Sequence, residues 1–171
     1  DLAFLESKGK CKKIYGGAIL NRLNVHLEDA NSRKNVNSKE KQKIAQMAYD
    51  LIEPSMTVFL DISTTNIELA KLLVLRPISG ITVVTNMLDV IQILSTSQIH
   101  SIFIGGEFDY ARNGFVGNMC DEFLQRFHFD LAFLGVVGID LESKSVMTYM
   151  PNDGQTKRIV LKQSKKAYML A

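Results

Sequence analysis

The segment Thr57–Thr65, TVFLDISTT, is a short apolar run followed by an acidic residue and, after one isoleucine, three hydroxyl residues. Its apolar residues are consecutive rather than alternate, which is typical of a strand buried on both faces. Ile67–Leu75 follows with helical spacing, and Thr65 with Glu68 three residues later predicts a capping box at the start of that helix. The segment therefore predicts a buried strand, a hydroxyl-rich turn and a helix.

Similar strand and helix patterns follow along the chain. The further predicted strands are Ile81–Thr85, Ser101–Ile104, Leu131–Val136 and Lys166–Ala171. The predicted helices run from Asn86 to about Leu94, over Gly117–Phe127 and over Asn152–Gln163. Asn86 is a predicted N-cap, and Asp89 in the first turn suits the helix dipole. Strands that are apolar on both faces and alternate with helices indicate an α/β fold, with a largely parallel sheet and helices on both faces.

Toward the amino terminus the pattern is less regular. Lys12–Leu20, KKIYGGAIL, predicts a strand with a bend at its glycine pair, and Asn21–Ser38 predicts a polar excursion. A helix is predicted to begin near Ser38 and to end before Pro54. Its apolar residues fall at helical spacing: Ile44, Ala45, Met47, Ala48, Leu51 and Ile52.

Composition restricts the class of protein. The chain has 171 residues, 46% of them hydrophobic, and a formal net charge of +2, which suits one folded domain and excludes a disordered chain. No apolar run approaches the roughly 20 residues that a membrane-spanning helix needs. Two cysteines, Cys11 and Cys120, are too few for a disulfide framework and indicate reduced thiols in a cytoplasmic protein.

Charge is unevenly distributed along the chain. Residues 1–43 contain ten basic and five acidic side chains, residues 44–156 five basic and thirteen acidic, and residues 157–171 five basic and none acidic. The middle of the chain, which contains most of the predicted fold, is therefore acidic and would repel a phosphate backbone. We do not expect this segment itself to contact DNA.

Small polar residues follow three of the predicted strands. They are Asp61, Ser63, Thr64, Thr65, Thr85, Asn86, Gly105 and Gly106. Ligands of open α/β sheets bind at the carboxyl ends of the strands, and hydroxyl groups with helix N-termini suit an anionic, hydroxylated ligand. The alternative is that each is an N-cap or a turn residue. Asp61, which closes a buried strand, is expected either to bind a sugar hydroxyl or to cap backbone N–H groups.

The last predicted helix contains further candidates. Lys157 and Arg158 supply cations for a phosphate, or else lie on a solvated helix face, and Asp153 is predicted to be an N-cap rather than a catalytic acid. The histidines His26, His100 and His128 lie far apart in sequence without metal-ligand spacing, so no metal is expected. The chain contains no glycine-rich nucleotide-binding motif and no nucleophile elbow, so neither a cofactor nor a catalytic residue is predicted.

Several motifs together resemble a known family. They are YGGA (Tyr15–Ala18), the spaced set Arg33, Asn37, Glu40, Lys41, Ile44 and Ala45, LDISTT (Leu60–Thr65), VVTN (Val83–Asn86), IGGE (Ile104–Glu107), FVG (Phe115–Gly117), DLAFLGVVGID (Asp130–Asp140), TKR (Thr156–Arg158) and AYMLA (Ala167–Ala171). In this order and spacing they resemble the effector-sensing domain of DeoR-family bacterial transcriptional regulators. The resemblance covers nearly the whole chain.

The resemblance implies a three-layer α/β/α fold similar to that of ribose-5-phosphate isomerase. It implies that residues 1–13 end a linker from a missing N-terminal helix-turn-helix domain and that residues 14–171 form a C-terminally truncated effector-binding domain. Such a domain binds a phosphorylated sugar or related metabolite, forms homo-oligomers, and modulates DNA binding by the helix-turn-helix domain, usually as a repressor of sugar metabolism. The ligand loops fall on Asp61 and Ser63–Thr65 and on Thr85–Asn86, and the phosphate-facing lysine is Lys157.

The chain departs from the family pattern at two positions, and two other functions remain as alternatives. Ser63 occupies a position at which the family usually has glycine, and Asp153 occupies a position at which it usually has glutamate. A sugar-phosphate isomerase needs a general base, but Gly138–Asp140 supplies one carboxylate followed by Leu141, where related isomerases have a denser acidic run. An oligomerisation domain with a vestigial pocket is the second alternative, because a side chain at Ser63 narrows the approach to a phosphate.

Overall fold

A computed structural model describes residues 2–7, 11–15, 17–20, 34–148 and 150–171. The described helices are α1 (Leu2–Ser7), α2 (Ser38–Tyr49), α3 (Thr64–Leu75), α4 (Leu88–Leu94), α5 (Asn118–Leu124) and α6 (Pro151–Gln163). The described strands are β1 (Cys11–Ile14), β2 (Gly17–Leu20), β3 (Thr57–Leu60), β4 (Thr82–Thr85), β5 (His100–Phe103), β6 (Glu107–Asp109), β7 (Gly114–Val116), β8 (Phe129–Gly135), β9 (Gly138–Asp140), β10 (Ser145–Met147) and β11 (Ser164–Leu170). Within these residues, no helix is both long enough and apolar enough to cross a membrane.

The main sheet has five parallel strands in the order β11–β8–β3–β4–β5, which confirms the predicted parallel sheet. Within this sheet, the first strand along the chain is β3. The chain then moves outward through β4 to β5, and returns to the other side of β3 for β8 and β11. The strand order therefore reverses between β3 and β8. In open α/β sheets, the crevice at the carboxyl ends of the strands at such a reversal is the usual place for a ligand.

Both faces of the sheet are covered by helices. Val58 and Leu60 of β3 pack with buried residues of α2, α3 and α4, whereas Phe59 between them packs with buried residues of α5 and α6. This alternation on a strand with no polar face explains why its apolar residues are consecutive in the sequence. The predicted three-layer α/β/α arrangement is confirmed.

The amino-terminal predictions need correction. Residues 12–20 do not form one bent strand: β1 and β2 pair as an antiparallel hairpin, with Tyr15 in the turn. Gly16, the linker residues 1 and 8–10, and most of the predicted excursion, 21–33 with Arg33 of the family motif, lie outside the described residues. Helix α2 begins at Ser38 as predicted, but Met47 is 71% exposed, because Ala45 and Ala48 form the face that packs on the core.

Two short hairpins were not predicted. Strand β6 pairs with β7, and β9 pairs with β10, each antiparallel and outside the main sheet. Each of these strands has three residues, which is too short for a periodic pattern to be recognised. The predicted helix Gly117–Phe127 is correspondingly shorter, because α5 ends at Leu124.

The three predicted caps are wrong. Ser63, not Thr65, is the N-cap of α3, and its Oγ accepts a hydrogen bond from the Thr65 N–H at 3.2 Å. Asn86 is not a cap, because its amide donates to the Phe115 carbonyl across the structure. Asp153 lies inside α6 and pairs with Lys157. Asn86 is engaged by a partner 29 residues away, which local sequence does not show, whereas the partner of Asp153 is one helical turn further along α6.

Candidate functional site

A cavity of about 400 Å³ lies where the strand order reverses. Its walls come from the turn after β3, the loop after β8, the first turn of α2, and one side of α6. The polar and charged residues of this lining are Asn37, Glu40, Lys41, Ser63, Thr64, Thr65, Arg112, Asp153 and Lys157. The fold therefore brings Ser63–Thr65 and Lys157 together at one cavity.

The loop Gly135–Gly138 forms a wall of this cavity, a role that was not predicted from the sequence. The Gly135 N–H donates a hydrogen bond to Asp61 Oδ2 at 3.0 Å. A Cβ on Gly135 would lie 2.6 Å from the Ser63 Cβ and 2.9 Å from the Ile62 carbonyl oxygen. Glycine is thus required for β8 to approach the start of α3. The sequence feature that could have indicated this close approach is a glycine at the end of a buried strand.

Asp61, Lys157 and Asp153 form a buried ionic cluster beside this loop. Lys157 Nζ lies 2.9 Å from Asp61 Oδ2 and also donates a hydrogen bond to Asp153 Oδ1. Asp61 was predicted to bind a sugar hydroxyl or to cap backbone N–H groups; it accepts from the Gly135 N–H, but its pairing with Lys157 was not predicted. Lys157 is 6% exposed, whereas Arg158 is exposed on the helix surface. The two cations that the sequence placed together therefore have different surroundings.

Burial governs the electrostatics of the cluster. Burial raises the pKa of Asp61, and the nearby charge of Asp153 raises it further, against the opposing effect of Lys157. Burial lowers the pKa of Lys157, but the two carboxylates outweigh this effect, so that its pKa is raised. Lys157 therefore stays an ammonium, and a proton added to the cluster goes to a carboxylate.

Asn66 links the carboxyl ends of β3 and β8 by hydrogen bonds, a role that was not predicted from the sequence. Its buried amide donates to the carbonyl oxygen of Asp61, directly after β3, at 2.8 Å and to that of Phe133 in β8 at 2.9 Å. An asparagine in the first turn of a helix looks like an ordinary surface residue in sequence. Its role depends on a partner 67 residues away.

Asp61 contacts the lining residues Lys157 and Gly135 but is not itself a lining residue, and four other predicted site residues lie elsewhere. Thr85, Asn86, Gly105 and Gly106 are not among the described residues that line the cavity. The Thr85 hydroxyl donates to the Leu60 carbonyl and accepts from the Met87 N–H, so that it joins β3 to β4. Gly106 fits closely against Val116 and Cys120. A Cβ added at this position would lie 2.7 Å from the Val116 carbonyl oxygen. Thr85 and Gly106 therefore hold neighbouring segments together and do not line the cavity.

The cavity has the features of a site for an anionic, hydroxylated molecule. The N-terminus of α3, a helix of twelve residues, opens on it at Ser63–Thr65, where backbone N–H groups and the helix dipole favour negative charge. Lys41 and Arg112 also line it, and Arg112 forms an ion pair with Asp109. Hydroxyl and carboxylate groups complete a lining that can bind sugar hydroxyls.

Neither metal binding nor chemistry at Cys120 is favoured in the described part of the chain. It contains no group of three or more histidine, cysteine, aspartate or glutamate residues that could hold a metal ion. Cys120 is a poor nucleophile, because burial, with the nearby Asp121 carboxylate, raises its pKa to about 12.

Replacing Ser63 tests the cap at the mouth of the cavity. Ser63→Ala should lower the free energy of unfolding by about 1 kcal/mol, because the Thr65 N–H loses its acceptor. Ser63→Gly, the usual family residue, should cost only a few tenths of a kcal/mol, since glycine is tolerated at N-caps. Urea denaturation measures both. Equal losses, or a larger loss for glycine, would show that Ser63 does not act as a cap.

The fold and the position of the cavity define an α/β domain of the ribose-5-phosphate isomerase type. The chain is similar in fold to ribose-5-phosphate isomerase A from Methanocaldococcus jannaschii, with a TM-score of 0.56 and 14% identity over 78% of this chain and 52% of that one. It is also similar to the "Probable sor Operon Regulator" from Shigella flexneri, with a TM-score of 0.50 and 13% identity over 85% and 78% of the two chains. At these identities the likeness concerns the fold alone.

Sequence comparison identifies the family. The family model described as the DeoR C-terminal sensor domain matches residues 36–171, and the chain belongs to this family. The lactose phosphotransferase system repressor of Lactococcus lactis subsp. lactis is 33% identical over 172 residues, 99% of this chain and 67% of that protein. The L-fucose operon activator of Haemophilus influenzae is 30% identical over 171 residues, with the same coverage of each chain. The family resemblance seen in the sequence is thus confirmed.

By their names, one of these relatives is the repressor of a lactose phosphotransferase system and the other is the activator of an L-fucose operon. The chain spans between 59% and 67% of the length of the curated relatives that it matches first. Its described fold corresponds to the sensor domain of such regulators.

Proposed function

We propose that this domain binds a phosphorylated sugar or a related metabolite in the cavity between β3 and β8. The observation that carries the proposal is the meeting of a helix N-terminus, hydroxyl groups and a buried carboxylate–lysine cluster around one cavity at the strand-order reversal. The phosphate faces Ser63–Thr65 at the start of α3. The sugar hydroxyls face the polar side chains of the remaining walls.

The bound ligand modulates DNA binding by a helix-turn-helix domain that precedes this one in the cytoplasmic regulator. Residues 1–13 end the linker from that domain, residues 14–171 form the effector domain, and copies of the chain associate as a homo-oligomer. The length of the curated relatives supports a further domain, and the acidic middle of the chain supports DNA contact outside this segment. The ligand can shift the equilibrium between two arrangements of the homo-oligomer by no more than the difference between its binding free energies for the two arrangements.

An observation on β9 favours a sensor over an isomerase. Asp140 is the single carboxylate of the Gly138–Asp140 strand, and it accepts hydrogen bonds from the Ser143 hydroxyl and from backbone N–H groups. The Ser143 hydroxyl and these N–H groups hold the pKa of Asp140 below its ordinary value. A general base works best with a pKa near the operating pH, so Asp140 is poorly suited to abstract a proton.

A thermal-shift panel tests the proposed function. Sugar phosphates are compared with their unphosphorylated parents and with inorganic phosphate. A ligand at one hundred times its Kd adds about 2.7 kcal/mol to the free energy of unfolding, and we expect this for a phosphorylated sugar without turnover. Lys41→Gln, on the cavity wall, should weaken the effect, whereas Lys39→Gln, exposed and outside the lining, should not.

The other outcomes favour the other functions. A flat panel with folded protein would contradict ligand sensing and favour an oligomerisation domain with a vestigial pocket. Conversion of an aldose phosphate to a ketose phosphate would instead identify an isomerase. A shift that Lys39→Gln and Lys41→Gln reduce equally would place the ligand outside this cavity.

A further inference from the structure

The charge of Lys157 is already neutralised within the cavity wall. Its ammonium lies between Asp61 Oδ2, at 2.9 Å, and Asp153 Oδ1, to which it donates a hydrogen bond. All three side chains are less than a tenth exposed. Two carboxylates and one ammonium carry a net charge of −1. In its fully ionised form, this buried cluster therefore repels an anion that enters the cavity.

Other charged or titratable groups line the same cavity or lie on the helices packed beside the cluster, and they come from α2, the turn between β6 and β7, α5 and α6. They are Glu40, Lys41, Arg112, Cys120, Asp121 and Arg158. Glu40 and Lys41 have opposite charges, and Arg112 is paired with Asp109. The two groups of α5 are a neutral thiol and a further carboxylate, and Arg158 is exposed and lines a neighbouring cavity. The cluster therefore sets the sign of charge on its side of the cavity.

We propose that Asp153 determines the anion affinity of this cavity: with Asp61 it holds Lys157 in a net negative cluster, so that a phosphate ester binds together with one proton taken up by the two carboxylates. This inference rests on the proposed function, because it concerns the same cavity. The proton converts one carboxylate to a carboxylic acid and leaves the cluster neutral. Lys157 remains an ammonium and faces the incoming anion without a net opposing charge.

The geometry provides a place for that proton on Asp61. Its Oδ2 accepts from Gly135 and Lys157, whereas its Oδ1 is buried without a hydrogen-bond partner in the described part of the chain. A protonated Oδ1 needs less solvation than a charged one, and burial raises the pKa of this carboxyl group in the same direction. The Gly135 contact also places the cluster next to Ser63, where the phosphate is expected.

Sulfate binding as a function of pH tests this inference in the whole domain. Sulfate is used because it remains a dianion across the range, whereas phosphate itself titrates. Its Kd is measured from thermal shifts between about pH 5 and pH 8, with chloride at matched ionic strength. Linkage to one proton predicts that log Kd rises with pH, with a slope approaching one. In Asp153→Asn, which leaves a neutral Asp61–Lys157 pair, the slope should fall toward zero and sulfate should bind about tenfold more tightly at pH 8.

Glu40→Gln is the matched control, because it removes one negative charge from the cavity lining but none from the cluster. It should keep the wild-type slope. A pH-independent Kd in the wild type, no sulfate binding at any pH, or an unchanged slope in Asp153→Asn would each overturn the inference. None of these results affects the sugar-phosphate panel, so the proposed function is judged separately. Because the wild-type slope is measured without any substitution, a folding defect in a variant does not remove the test.

Discussion

Lys157→Met should lower the free energy of unfolding by about 3–5 kcal/mol at neutral pH. The substitution keeps an unbranched side chain of similar length but removes the ammonium that Asp61 and Asp153 share. Both carboxylates would then be buried without a cation, and their charged forms would lose their main favourable interaction. Urea denaturation at pH 7 measures the loss, and circular dichroism of the variant shows whether its fold is retained.

The pH dependence of the same variant identifies the cause. Burial already raises the pKa of Asp61, and without Lys157 the main opposing influence is gone, so the folded state binds a proton more readily than the unfolded state. Its stability should therefore rise as the pH falls, and the gap to the wild type should narrow toward pH 5. Arg158→Met is the control, because this neighbouring cation is exposed, and its effect should stay within about 0.5 kcal/mol. Equal losses for both variants would contradict a buried cluster.

The sequence was sufficient to predict the layers of the fold. All five strands of the main sheet were predicted, because runs such as TVFL are apolar at consecutive positions only when both faces of a strand are buried. The short hairpins β6–β7 and β9–β10 were missed, because three residues carry no period. The cap prediction for Asn86 failed because its side chain has a long-range partner, the Phe115 carbonyl.

The candidate site was predicted only in part, for the same physical reason. Asp61 was singled out because a carboxylate at the end of a buried strand needs a partner, a requirement that local sequence shows. The identity of that partner depends on how β3, β8 and α6 meet, and Gly135 and Lys157 are each more than 70 positions from Asp61. Asn66 and Gly135 acquire their roles from this register alone. Local patterns could therefore indicate the edge of the sheet but not the wall of the cavity.

Gly135→Ala should lower the free energy of unfolding by about 1–3 kcal/mol. The added Cβ would lie 2.6 Å from the Ser63 Cβ and 2.9 Å from the Ile62 carbonyl oxygen, and both belong to the turn that begins α3. Neither neighbour is the flexible end of a long side chain, so the backbone of β3 or β8 must move. That movement also lengthens the hydrogen bond from the Gly135 N–H to Asp61.

The same substitution links the packing of the loop to the function of the cavity. Because the loop after β8 and the turn after β3 form adjoining walls, Gly135→Ala should also weaken stabilisation by the phosphorylated sugar identified in the panel. Gly105→Ala is the control, because a Cβ there meets nothing within 4 Å, and it should change the unfolding free energy by less than about 0.5 kcal/mol. If both alanine variants were equally stable, the close approach of β8 to α3 would be wrong. If Gly135→Ala lost stability but bound the ligand as tightly as the wild type, the ligand would lie away from this wall, since a binding surface that shifts with the backbone cannot retain its contacts.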